Sequence, residues 1–282
     1  MPEIELVGAG GEPVDWRRTM ASHGVADLLP NRLDDERWTF ATVLDIGGRA
    51  QPVRISESRP GYVLVAGTTA TLPVVRHMLR LDEDLSRFYA LVADDAELAW
   101  VTQGAGRMLR SPTVFEDLVK TICTTNCTWA ATVRMVTALV EHLGIGGRTF
   151  PSPAVMAEAS EDFYRDVART GYRGAYLQAI AAGVADGTLD LEVLDGRSDL
   201  PDDEVAARLL ALPGVGPYAA AHAMMLLGRY RRLILDSWTR PTYARIAQYK
   251  KVKDSTIERR FRRYKDFAGL AFWLYITRDW VS

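Results

Sequence analysis

The hydrophobic period of the chain changes once, near Leu72, and the change separates what its two parts can fold into. Before it, the runs Arg37 to Leu44 and Gly61 to Ala66 are rich in β-branched and aromatic residues, bounded by Gly47-Gly48, Pro60-Gly61 and Gly67. These runs predict strands of an antiparallel sheet. After it, apolar residues recur at helical spacing, as in Phe88, Tyr89, Leu91 and Val92, and continue to the C-terminus. Ser111-Pro112 predicts a helix with proline at its first position, Asn126 interrupts that helix, and Gly144 to Gly147 ends the next. Ser152-Pro153 and Gly171 mark further boundaries, and Pro201-Asp202-Asp203-Glu204 predicts an acidic cap on a helix running to Leu212. No internal repeat and no long linker divides the chain. The expectation is an α+β fold, with an N-terminal antiparallel β-sheet domain over residues 1–82 packed on a multi-helix body over residues 83–282.

Composition bears mainly on what is excluded. Of 282 residues, 48% are hydrophobic and 25% are charged, too apolar a mixture for a disordered chain. The longest nearly apolar stretch, Ala219 to Leu227, is interrupted by His222 and falls far short of the roughly 20 residues that span a bilayer. The opening Met1 to Glu5 is acidic and lacks a secretory pattern, so a cytoplasmic location and no membrane partner are expected. The only cysteines, Cys123 and Cys127, exclude a four-cysteine cluster held within the chain and are expected to be ordinary helix residues. The formal net charge of -2 conceals a sorting of charge. Between Arg229 and Lys265 there are 13 Lys and Arg against Asp236, Asp254 and Glu258. A basic stripe beside an acidic remainder suits a polyanion, although a solvated helix surface explains a charge run equally well.

The segment Leu209 to Ala220, L-L-A-L-P-G-V-G-P-Y-A-A, reads as two helices joined by a tight turn. Gly214 and Gly216 would admit the left-handed conformations of such a turn, leaving backbone N–H groups exposed from Gly214 to Tyr218. Donors of that kind hold a phosphate and position a DNA strand without reading its sequence. The apolar run Leu233-Ile234-Leu235 then ends in Asp236, 18 residues after Tyr218, with Ser237, Trp238, Thr239 and Arg240 following.

This pairing of a G-V-G hairpin with a following aspartate resembles the helix-hairpin-helix (HhH-GPD) superfamily of base-excision DNA glycosylases, in particular its 3-methyladenine and 8-oxoguanine branches. The motif matches cover residues 110–240. The resemblance implies that Asp236 is the catalytic carboxylate and that Gly214, Val215, Gly216 and Arg240 lie against DNA. It implies that Asn126, in the turn Ile122 to Asn126, enters the gap left by an extruded nucleotide. Tyr172, in the G-Y-R-G-A-Y turn, would wedge into the base stack, and Arg173 would face the widowed base or a phosphate. Members that also cleave the strand carry a lysine where this chain has Tyr218, so a monofunctional enzyme is expected. Tyr218 and Trp238, with His222 one turn further on and Phe272 of the C-terminal helix, would form a base pocket suited to alkylated purines. Ala131 stands where 8-oxoguanine enzymes place an arginine that reads the opposite cytosine, which implies weak selection of the opposite base, and the C-terminal helix has apolar residues where they place a glutamine, which implies an apolar pocket in place of hydrogen-bond readout.

The function expected is therefore excision of damaged, alkylated purines from double-stranded DNA by a monomer, nucleoid-associated in the cytoplasm. No cofactor is required, and the hairpin carbonyls leave room for a monovalent cation. Two alternatives stay open: an 8-oxoguanine glycosylase/lyase using another amine, such as Lys120, and a non-catalytic DNA-binding protein that retains the hairpin.

Overall fold

The computed structural model describes residues 1–196 and 198–281. Strands β1 (Glu3–Glu5), β2 (Arg32–Asp34), β3 (Thr39–Asp45), β4 (Ala50–Arg59) and β5 (Tyr62–Ala66) form one antiparallel sheet in the order β1-β5-β4-β3-β2. Alternation sets its buried face. Phe40 pairs with Ile55, and Ile55 with Val65, so side chains two apart along each strand point to the same side. With Leu44, Val53 and Val63 they pack on Trp16 and Met20 of the helix Trp16–Met20 and on Val75 and Met78 of the helix Leu72–Met78.

The first 70 residues are not all strand. The helix Trp16–Met20, capped by the Asp15 carboxylate on Arg18 N at 2.9 Å, and the 3-10 turn Gly24–Asp27 interrupt the sheet. This insertion ties the N-terminal part to the end of the chain. Trp273 Nε1 donates to Ser22 O at 2.9 Å, and the Arg18 guanidinium donates to the carbonyls of Arg278 and Val281.

Two apolar cores fill the helical body. One is shared by the helices Val114–Thr124, Trp129–Leu143, Arg173–Ala185 and Asp202–Leu210. The other surrounds the C-terminal helix Ala268–Thr277 together with Thr239–Ile246 and Asp254–Phe261. The helix Pro217–Leu226 enters both, with Ala219, Ala220, Ala223 and Met224 in the first and Ala221, Met225 and Leu226 in the second. A helix apolar on every side is one buried on every side. Among the described residues no helix is long and apolar enough to cross a membrane.

Several boundaries differ from the sequence reading. The helix after Ser111-Pro112 begins at Val114 with Thr113 as its cap, so Pro112 precedes the cap instead of opening the helix. Ser111 N is held instead by the Asp117 carboxylate at 2.9 Å. The acid-capped helix stops at Leu210, before Leu212, while Ser152 and Pro153 do cap and open the helix Pro153–Glu158. Cys123 is helical and buried, but Cys127 lies beyond the helix end at Thr124 and is exposed.

One ion pair fastens the sheet's leading loop to the helical body. Arg107 is fully buried and bonds the carboxylate of the nearly buried Glu12, whose Oε1 also accepts Leu85 N at 2.6 Å. Removing one partner of such a pair leaves an uncompensated buried charge. Glu12→Ala is expected to lower unfolding stability by about 3–5 kcal/mol, read from the midpoint of urea denaturation.

Candidate active site

The hairpin turn is built on Gly214, whose φ of +79° lies in the left-handed region and whose added Cβ would stand 2.6 Å from the Tyr176 ring. Gly216 corrects the sequence reading: its φ of -89° needs no glycine, and a Cβ there would meet open space. Val215 is buried and roots the turn in the first core. The backbone N–H groups of Gly214, Gly216 and Tyr218 donate to no partner among the described residues, and Pro217 opens the following helix. Unpaired N–H groups at a helix N-terminus carry partial positive charge, which favours an anion.

Asp236 stands where the chain leaves buried Ile234 and turns into the helix Thr239–Ile246. Its Oδ1 accepts Trp238 N at 2.7 Å and Thr239 N at 2.6 Å, while its own N–H donates to Thr239 Oγ1 at 2.9 Å. This reciprocal cap fixes the carboxylate plane. Oδ2 makes no hydrogen bond among the described residues, and the residue lines a cleft of about 1430 Å³. Tyr218 lines the same cleft, and burial raises its phenol pKa above the ordinary value, with the nearby Asp236 charge adding to the rise.

Aromatic rings wall the cleft. Trp238, 41% exposed, lies 5.9 Å from Trp273 and 5.6 Å from Trp280 between ring centroids. The rings of Tyr218 and His222 are 4.5 Å apart, and His222 Nδ1 is 3.1 Å from His23 Nε2. Burial pushes both imidazoles toward the neutral form, His23 to about 4 and His222 well below its ordinary value. Phe272 does not join them. It is fully buried against Tyr243 and Phe261 in the second core, and the pocket residue on that helix is its neighbour Trp273, about 100° further round.

Asn126 and Tyr172 meet at the edge of the cleft. Asn126, at φ +46°, donates its amide to the Tyr172 hydroxyl at 3.2 Å, and Tyr172 is 54% exposed. Arg173 is placed otherwise than expected. It is buried, and its guanidinium donates to the carbonyls of Thr125 and Thr170, so it clasps the two loops together instead of facing a base. Arg240 lines the cleft but pairs through Nε and Nη2 with the two carboxylate oxygens of Asp254, at 2.7 and 2.8 Å. The basic stripe is thinned in the same way. Arg229 is buried among the carbonyls of Leu194, Asp195 and Leu200, and Arg260 and Arg263 pair with Glu97 and Asp95. Lys120 is buried beside Glu116, 2.6 Å away.

The cleft also holds groups that sequence reasoning does not single out, among them Trp273, Trp280, His23, Trp38, Trp129 and the carboxylates Asp27 and Asp35. A uniformly apolar helix gives no period by which to choose Trp273 over Phe272, and His23 is 199 residues from its partner.

No protein-family model matches the chain, and no curated protein does. Solved structures do. A 3-methyladenine DNA glycosylase from Archaeoglobus fulgidus aligns with a TM-score of 0.75 at 18% identity, over 99% of this chain and 99% of its own. An 8-oxoguanine glycosylase/lyase from Clostridium acetobutylicum, in complex with double-stranded DNA containing cytosine opposite 8-oxoguanine, aligns with a TM-score of 0.66 at 19% identity over 92% of each chain. The 3-methyladenine DNA glycosylase Mag1 of Schizosaccharomyces pombe, in complex with abasic DNA, aligns with a TM-score of 0.53 at 18% identity, over 74% of this chain and 98% of its own. The chain therefore shares the fold of these solved DNA glycosylases. The expected α+β architecture, a sheet ahead of a helical body carrying the hairpin, is what the chain adopts.

The local geometry predicts how the turn and the cap respond to substitution. Gly214→Ala is expected to cost about 1–3 kcal/mol of stability through its left-handed φ, with Gly216→Ala within about 0.5 kcal/mol of the native protein. Asp236→Ala is expected to cost about 0.5–2 kcal/mol, and Asp236→Asn much less, since asparagine caps as well as aspartate. Denaturant titration of the purified variants measures all four.

Proposed function

We propose that the protein is a monofunctional DNA glycosylase that extrudes damaged, alkylated purines and hydrolyses their N-glycosidic bond with the help of Asp236. One observation supports this reading above the others. A carboxylate with one oxygen locked in a helix cap presents its remaining oxygen to an aromatic cleft, which the unpaired hairpin amides also line at Gly214 and Gly216.

The chemistry follows from those parts. A base stacked in a duplex hides its glycosidic carbon, so the nucleotide must be rotated into a pocket. The hairpin amides take a phosphate, and Asn126 and Tyr172 occupy the space the nucleotide vacates. In the cleft the base lies among Tyr218, Trp238 and Trp273. An electron-poor alkylated ring gains a cation–π contribution of about 0.5–2 kcal/mol there. As the C–N bond breaks, its electron pair leaves with the base and positive charge builds on the sugar. Asp236 stabilises that charge, and water adds to the sugar carbon, losing a proton. A cationic alkylated base departs as a neutral molecule, so this reaction needs no second acid.

The phenol of Tyr218 cannot form an imine with the opened sugar, and the ammonium of Lys120 is engaged by Glu116. Hydrolysis without strand cleavage is the consequence.

Asp236→Asn is expected to lower base release from 7-methylguanine DNA by at least roughly 10²-fold, with DNA affinity kept or improved. Borohydride treatment during turnover is expected to leave no protein–DNA adduct. A trapped adduct lost in Lys120→Ala would establish the lyase alternative. DNA binding without base release from any alkylated, deaminated or oxidised substrate would establish the non-catalytic one.

A further inference from the structure

His222 and His23 meet in the wall of the cleft, Nδ1 to Nε2 at 3.1 Å. Their outer nitrogens, His222 Nε2 and His23 Nδ1, are buried and bonded to nothing among the described residues. A buried polar atom without a partner is costly, and here two occur in one contact.

The protons in this contact are constrained. A neutral imidazole carries one N–H and one lone pair. When the bridging proton belongs to His222, its Nε2 is an acceptor and His23 carries its N–H outward on Nδ1. When the bridging proton belongs to His23, the outward N–H moves to His222 Nε2, which becomes a donor. Exchange of tautomers therefore reverses what His222 offers without any change of charge. His222 lies between Tyr218, at 4.5 Å, and Trp273, at 6.1 Å between ring centroids.

We propose that His222 is a specificity-determining residue that hydrogen-bonds the edge of the everted base through Nε2, and that His23 positions it by holding the shared proton, so that neutral purine lesions are accepted beside cationic ones. The proposal rests on the glycosylase reading. A neutral purine leaves with negative charge, which a donor on its ring stabilises; a cationic base leaves neutral and gains less from that donor. Loss of the hydrogen bond should therefore discriminate between the two classes.

The test is single-turnover base release from matched duplexes carrying hypoxanthine, a neutral lesion, or 7-methylguanine, a cationic one. His222→Phe keeps an aromatic ring in the wall, and its 7-methylguanine rate reports whether the site is intact. It is expected to lower the hypoxanthine rate about tenfold more than the 7-methylguanine rate. His23→Phe should move the same ratio in the same direction by less, and His23→Gln, whose amide both donates and accepts, should recover part of it. Nitrogen-15 imidazole shifts at pH 6 should show one proton on each ring. An unchanged ratio, equal losses on both substrates, a doubly protonated ring, or a native protein that releases only 7-methylguanine would overturn the role of the pair while leaving the glycosylase reading intact. A native protein that releases neither base would overturn both.

Discussion

The helix Pro217–Leu226 is the constraint on which the site depends, because it is buried on every side between two separate apolar cores. A surface helix rotates or frays at little cost, but one packed in both directions has a single rotation and a single depth. That placement fixes the unpaired amides at its N-terminus and sets Tyr218 and His222, one turn apart, on the cleft wall. The small side chains at Ala219, Ala220, Ala221 and Ala223 allow its neighbours to close on it. What the helix lacks in sequence periodicity it therefore has in positional definition.

Charge is used in two distinct ways across the molecule. Some arginines hold loops together by donating to backbone carbonyls: Arg173 joins the Thr125 and Thr170 turns, and Arg229 gathers the chain from Leu194 to Leu200. A guanidinium suits this work because its planar fork offers five donors and stays charged when buried. Others, such as Lys250, Lys251 and Arg259, remain at the surface. A count of basic residues along the sequence mixes the two kinds, so it overstates the charge available to a polyanion. The Asn126 and Tyr172 side chains depend on the first kind, since the turns that carry them are clasped by one buried arginine.

Local signals carried much of the fold and of the candidate site, and non-local ones did not. The hairpin, the Asp236 turn and the change from strand to helix each lie within a short window, where glycine, proline and hydrophobic period report directly on backbone geometry. Strand β4 was not legible, because Pro52 and its polar residues mask the alternation that only Val53 and Ile55 mark. Gly216 was misjudged because a glycine in a turn can serve either backbone freedom or open space, and sequence does not distinguish them. Phe272 and Trp273 illustrate a different limit. On a helix buried all round, which ring faces the cleft is decided by elements the helix itself does not encode, and Phe261 and Tyr243 took Phe272 into the core.

The two halves of the chain meet at the cleft itself. Ser22 accepts the indole of Trp273, and His23 reaches His222, so the insertion that interrupts the sheet supplies one side of the aromatic wall. On the proposed reading the N-terminal part is then more than a support for the helices. The carboxylate of Asp236 is held by its own helix cap, the phosphate donors by the buried hairpin helix, and the base contacts by both parts together. A pocket assembled in that way can change its preference for a base through residues before position 30 while its reacting group and its grip on the strand stay as they are. The N-terminal insertion and the helical body are thus joined at the cleft by the contact of the two histidines and by the Trp273 indole on Ser22.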